Sequence, residues 1–218
     1  YILDKLNPGF QVVFSKDDTI KIDAEFTDII KKFESIEKGS GNQLKRFIEN
    51  AEYKYKISMS DLVFKPSHSF MEFIRWDIIK QVFKTNLFSP LSYEVRKLFK
   101  DKRLIQIMEF PVIFLGAMAD KIPALYSIMN YSALKQGTFY PQGGMIKIVE
   151  AMEQLALSLG VEIRTNCDVT KIIIENSRAV GVKTSAQTIS FDAVISGADY
   201  HHTEMNLLEP KYRNYDAS

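Results

Sequence analysis

Hydrophobic spacing in this chain changes period near residue 136, and that change leaves few architectures open. From Asp23 onward apolar residues recur at helical spacing, with Phe26, Ile29, Ile30 and Phe33 on one face. A second helix is expected over roughly 42–59, with Leu44, Phe47, Ile48, Ala51 and Tyr55 aligned. A third is expected near 69–86, capped by Ser67 or Ser69, and a fourth from Pro90. Residues 102–135 hold two more apolar helical stretches, interrupted by Pro111, Gly116 and Pro123. Beyond residue 136 the pattern shortens. One helix, 145–159, carries Met145, Ile148, Met152, Leu155 and Leu159 and is closed by Gly160. Five short strands follow: "VEIRT", "VTKIIIE", "AVGVKT", "TISF" and "AVISGA", with Asn176-Ser177 as a hairpin tip. The last, Ala193–Ala198, has no charge and is expected to be buried on both faces, as in a parallel sheet. Two β-rich runs around a Lys-Asp-Asp turn open the chain, within residues 1–22. A mixed helical and α/β chain is the consequence.

Composition narrows the function. A net charge of +1 argues against a dedicated nucleic-acid binder. The single cysteine, Cys167, has no intramolecular partner, so a reducing compartment is expected. Tyr1 is not a methionine and no signal peptide follows it, which suggests a piece of a longer protein. The longest uncharged stretch, Ile122–Leu134, is 13 residues. That is short of the roughly 20 needed to span a bilayer.

The stretch "FYPQGGMIKIVEAM", residues 139–152, sets two glycines directly before an apolar helix. A helix N-terminus behind such a turn suits an anion, a flat ring pressed against bare backbone, or only a tight loop. The residues alone leave these three open. The other glycine pair, "GSG" at 39–41, follows no strand and is expected to be a loop.

The run from Tyr140 to Pro210 resembles the bacterial phytoene desaturases and related carotenoid oxidoreductases. These are FAD-dependent members of the amine-oxidase-like flavoproteins. "IEKGSGNQLKRFIENAEYKY", "LVFKPSHSFMEFI" and "FPVIFLGAMADKIPALYSIMNY" resemble the same family's middle region, in the same order. The family's strand–GxGxxG–helix fingerprint, which seats the FAD pyrophosphate, does not occur in these residues. The resemblance therefore implies an α+β fold: a mainly helical substrate-binding domain with N-terminal strands, residues 1–136, joined to part of an α/β FAD-binding domain with a small β-meander, residues 137–218. It implies an incomplete FAD site in this chain, and a fragment inactive alone.

The resemblance also assigns residues. Tyr140, Gly143, Gly144 and Met145 are expected beside the isoalloxazine and the substrate tunnel. Val169 is expected to hold the adenine through its backbone, and Gly197 and Ala198 to lie near the cofactor at a strand end. Desaturation removes a hydride and a proton from a hydrocarbon, so the protein has to supply orientation and a dry tunnel. Fourteen of the 26 aromatic residues fall within 64–140, which fits an apolar lining and equally a helical core. Glu72 is the candidate proton acceptor. It stands three residues before Arg75, so the two share a helix face, as catalytic group and tuner or as a plain surface ion pair. His201 and His202 lack further ligands at metal-binding spacing, and no metal is expected.

Residues 75–103 hold eight basic and three acidic residues, interleaved with Trp76, Phe83, Phe88, Tyr93 and Phe99. That is the composition of a membrane-surface helix, and also of a solvated face. The expected partners are a hydrophobic polyene, a membrane surface and a second copy of the chain; the expected setting is cytoplasmic and peripheral to the membrane. A non-catalytic isoprenoid- or lipid-binding module, and a polyene isomerase or saturase, are the alternatives.

Overall fold

The computed structural model describes residues 1–59 and 89–215. The chain divides into two compact units, Tyr1–Ala151 and Met152–Ser218, and each is described by itself. The fold is mixed, with small sheets and more helix than strand. The helix expected over 69–86 lies outside the described residues.

In the first unit, β1 (Leu3–Lys5) pairs antiparallel with β4 (Phe139–Pro141). The opening strands are thus split. β2 (Phe10–Ser15) and β3 (Asp18–Ile22) form a separate hairpin around the expected Lys-Asp-Asp turn. Its inward face, Ile20 and Ile22, joins the core. α1 (Phe26–Ile36) buries Ile29 and Phe33, and α2 (Ser40–Ile57) buries Leu44, Phe47, Ile48 and Ala51. Both helices present the apolar stripe that their spacing dictates. The expectation of a loop over 39–41 holds for Gly39 alone. Gly39 has φ +88, whereas Ser40 and Gly41 are the first residues of α2. A Cβ on Gly41 would come within 3.0 Å of the Ile30 carbonyl oxygen, so a glycine here lets α1 and α2 approach.

α3 (Leu91–Leu98) and α4 (Lys102–Glu109) follow. The Glu37 carboxylate accepts from the backbone N–H of Lys100 and Asp101, tying the α3–α4 corner to the end of α1. Asp101 caps α4 by accepting from the Arg103 N–H. Pro111 then opens a 3-10 segment, Phe110–Leu115, which Gly116 ends at φ +74. A helical stretch over 124–136, whose α-helical part is α5 (Ile128–Tyr131), leads back to β4. The core runs through Phe33, Leu44, Leu91, Phe99, Leu104, Met108 and Leu134, with Phe33 and Phe99 edge to face at 5.8 Å.

α6 (Ile146–Ser158) ends as expected at Gly160, φ +81. The Val161 N–H reaches the Ala156 carbonyl and the Gly160 N–H that of Leu157, the paired bonds of a Schellman cap. α6 buries no residue. Ile146, Val149, Met152, Leu155 and Leu157 all remain exposed.

In the second unit, β5 (Val169–Glu175), β6 (Arg178–Thr184) and β7 (Thr188–Ser190) make an antiparallel meander. Asn176 and Ser177 both have positive φ, the two-residue tip expected of the hairpin. α7 (Tyr200–His202) follows, with Asp199 as its cap. Two of the five expected strands do not form. Val161–Thr165 and Ala193–Ala198 are irregular, and Ile195, expected to be buried, is 96% exposed. A strand covered on both faces needs a neighbouring strand and a layer above and below it. Among the described residues neither segment has a paired neighbour.

Candidate functional site

The turn between β4 and α6 is built by its two glycines. The Gly144 N–H donates to the Pro141 carbonyl at 3.0 Å, closing a β-turn whose third residue is Gly143. Gly143 has φ +84 and Gly144 +94, a backbone hand that L-residues adopt at a cost of about 1–2 kcal/mol each. Below the turn, the Gln142 N–H donates to the Ile2 carbonyl and its side chain to Asp4, which fixes the end of β4 on β1. Above it, the Lys147 N–H donates to the Gly144 carbonyl and starts α6. A Cβ on Gly144 would meet only the Tyr140 hydroxyl, at 3.9 Å. Beside Gly143 the nearest group is the flexible Lys147 chain at 3.0 Å. The glycines are therefore set by backbone conformation, and the space over Gly144 is open.

The structure brings Tyr140, Gly143, Gly144 and Met145 together in this one turn, with the Tyr140 and Met145 side chains exposed. Bare backbone flanked by an aromatic ring and a thioether fits a flat, partly apolar ring system.

A cleft of about 720 Å³ abuts β4. Phe10, Tyr55, Phe110, Met129, Ala133 and Phe139 are among its walls, and its lining is predominantly apolar. The walls come from β2, α2, the 3-10 segment, α5, the turn of helix after it, and β4. Gly137, at φ +94, lets the chain pass Lys5, whose Cε would lie 2.9 Å from a Cβ there. Tyr55 leans on Tyr131 at 5.2 Å and Phe10 stacks with Phe110 at 6.5 Å. Sequence reasoning did not single out this set. Its members are scattered over 130 positions, and the only trace is the aromatic enrichment of residues 64–140.

In the second unit, Val169 opens β5, an edge strand of the meander. The β5–β6 register is irregular between Val169 and Lys171, which leaves a backbone position there without a ladder partner. An edge strand with that irregularity has N–H and C=O groups for a ligand to use. Gly197 and Ala198 lie in an exposed loop, where Ser196 Oγ and Thr203 Oγ1 are 2.7 Å apart. A Cβ on Gly197 would touch nothing within 4 Å, so close packing does not require a glycine there.

Glu72 and Arg75 lie outside the described residues, as do Trp76, Phe83 and Phe88. Of the remaining aromatics expected at a membrane surface, Tyr93 is exposed but Phe99 is buried in the core. That corrects the sequence expectation: Phe99 terminates α3 against Phe33 and cannot also face a bilayer. Among the described residues no helix is long and apolar enough to cross a membrane. His201 packs near Tyr215, and His202 Nδ1 lies 2.9 Å from the Asn206 amide. Glu204 is buried, and hydrogen bonds from the Asn214 backbone and side chain hold its carboxyl below the usual range.

The chain is 27% identical over 217 residues to the carotenoid 3,4-desaturase of Haloarcula japonica, covering 99% of this chain and 44% of the relative. It is 25% identical over 208 residues to the zeta-carotene-forming phytoene desaturase of Myxococcus xanthus, with 95% and 40% covered. A 4,4'-diapophytoene desaturase of Staphylococcus haemolyticus is 22% identical over 201 residues, with 91% and 40% covered. The chain thus spans less than half the length of these curated relatives. The family described as flavin containing amine oxidoreductase matches residues 81–217, well over half of the chain, and the chain belongs to that family.

Proposed function

We propose that this chain is the substrate-side part of an FAD-dependent oxidoreductase that desaturates a carotenoid precursor such as phytoene. The observation that carries the reading is the apolar cleft that ends at Phe139, the first residue of the strand leading into the glycine turn. Likeness to proteins named as carotenoid desaturases over nearly all of the chain supports it. On this reading residues 1–136 bind the polyene and residues 137–218 belong to the flavin domain. Tyr140, Gly143, Gly144 and Met145 would border the flavin ring. Val169 would meet the adenine through its backbone, with Gly197 and Ala198 nearby. FAD, when bound, supplies hydride acceptance. The chain's own residues exclude water and hold the hydrocarbon: Phe10, Phe110 and Phe139 offer rings to a conjugated chain and no hydrogen-bonding group that would have to be desolvated. Glu72, three residues before Arg75 in the sequence, remains the proposed proton acceptor.

The test is Ala133→Trp in the full-length protein, assayed by product chromatography on phytoene. The tryptophan ring would take space in the cleft that the hydrocarbon needs, so kcat/KM should fall roughly ten-fold or more, about 1.4 kcal/mol of lost transition-state stabilisation. The flavin spectrum should be unchanged. Normal turnover with the bulky ring in place would exclude this cleft as the hydrocarbon site.

A further inference from the structure

The cleft wall along residues 124–136 is held from behind by two buried polar side chains, neither of them part of the lining. Ile128, Met129, Ser132 and Ala133 line the cleft, while Ser127 and Asn130 of the same stretch are buried. On the buried side the Lys54 ammonium, carried by α2, donates to the Ala124 carbonyl at 3.0 Å and to Ser127 Oγ at 3.4 Å. The next residue of α2, Tyr55, is itself a cleft wall. The Asn130 amide donates to the Met108 carbonyl at 2.7 Å. Met108 belongs to α4 and stands two residues before Phe110, which lines the cleft together with Pro111. Each polar bond therefore joins residues 124–136 to an element that supplies another part of the lining.

Stability does not account for either group. Burial disfavours the Lys54 charge, and Glu94 of α3 is the carboxylate whose field opposes that effect. Asn130 is fully buried, and its Oδ1 has no hydrogen-bond partner among the described residues. Both carry a desolvation cost that an apolar side chain of similar volume would avoid. What they supply instead is direction: a hydrogen bond fixes distance and angle, whereas apolar contacts tolerate sliding.

We propose that Lys54 and Asn130 are positioning residues that fix the spacing of the cleft walls and so set its affinity for an extended hydrocarbon. Such a ligand has no polar group with which to correct its own seat, so its fit depends on walls already in place. Walls ordered before binding also spare the ligand the entropy cost of ordering them. The consequence for turnover rests on the desaturase reading; the effect on cleft affinity does not.

The experiment titrates full-length protein with diphenylhexatriene, an apolar conjugated probe that fluoresces when it leaves water. The saturable binding that Ala133→Trp removes reports the cleft. Lys54→Met and Asn130→Leu should each raise the Kd of that binding about ten-fold, with far-UV circular dichroism and the flavin spectrum native. KM for phytoene should rise in parallel while kcat stays nearly unchanged. Ile48→Val, a small cavity in the same core that does not line the cleft, should lower the urea midpoint and leave Kd and KM as they are. An unchanged Kd in either natively folded variant overturns the proposal. So does an equal loss of affinity in Ile48→Val, since any loosening of the core would then suffice, and so does probe binding that Ala133→Trp leaves intact. Phytoene left unconverted by a protein whose probe affinities shift as expected counts against the desaturase reading alone.

Discussion

Lys54 sits in the interior of the first unit, 5% exposed, with its Nζ 3.0 Å from the Ala124 carbonyl oxygen and 3.4 Å from Ser127 Oγ. Burial pushes its ammonium from 10.5 down to about 8, with Glu94 opposing. The folded state therefore holds this proton less tightly than the unfolded chain. Below pH 8 the buried charge costs stability, and the cost is relieved as pH rises towards 10.5. Across that window the wild type should gain on the order of 3 kcal/mol relative to Lys54→Met. Urea midpoints of the two proteins against pH check it, and parallel curves would mean that Lys54 is solvated. Periodicity placed Lys54 on α2, but its burial depends on the helical stretch over 124–136 closing over it, 70 residues away.

At the scale of elements, the β5–β6 hairpin shows local chemistry deciding local structure. Asn176 and Ser177 occupy the two positive-φ positions of the tip, at +49 and +61. Asparagine tolerates that conformation and serine does not favour it. Ser177→Gly should stabilise the hairpin by about 1 kcal/mol, read as a raised thermal midpoint. An unchanged or lowered midpoint would show that the serine hydroxyl compensates for the strain. The same logic made Gly160 legible as the end of α6. It failed for Val161–Thr165 and Ala193–Ala198. Their apolar and β-branched residues fit strands, alternating with charge in Val161–Thr165 and uncharged in Ala193–Ala198, yet a strand's hydrogen bonds belong to its neighbours, and pattern carries no information about whether neighbours are present. The site divides in the same way. The glycine turn was legible because φ selects glycine. The cleft was not, since aromatic walls and aromatic core look alike in sequence.

At the scale of the molecule, α6 is the informative element. Its apolar residues keep helical spacing, yet Val149, Met152 and Leu155 are each more than half exposed. A face of that kind promotes association, and exposed apolar area contributes about 25 cal/mol per Å² when it is covered. The 218-residue chain by itself should therefore self-associate as its concentration rises, measured by sedimentation velocity. It should also elute without a visible flavin band after purification with FAD. These residues contain no strand–GxGxxG–helix turn, the element that binds a dinucleotide's pyrophosphate through backbone N–H groups. Flavin co-eluting at near one equivalent would show that the glycine turn and β5 suffice.

The sequence by itself determined α1 and α2 with their buried faces, the β5–β6 hairpin tip and the Gly143-Gly144 turn. Each depends on residues within a few positions of one another, through side-chain spacing or permitted φ. It also determined the family, through motifs kept in order along the chain. Tertiary structure alone decided which aromatics face a cavity and which fill the core. It put Phe99 against Phe33 and left Phe114 outside. It drew Phe10, Tyr55, Phe110, Ala133 and Phe139 around one cleft. Burial is a property of what packs against a side chain, and for these residues the packing partners lie tens of positions away.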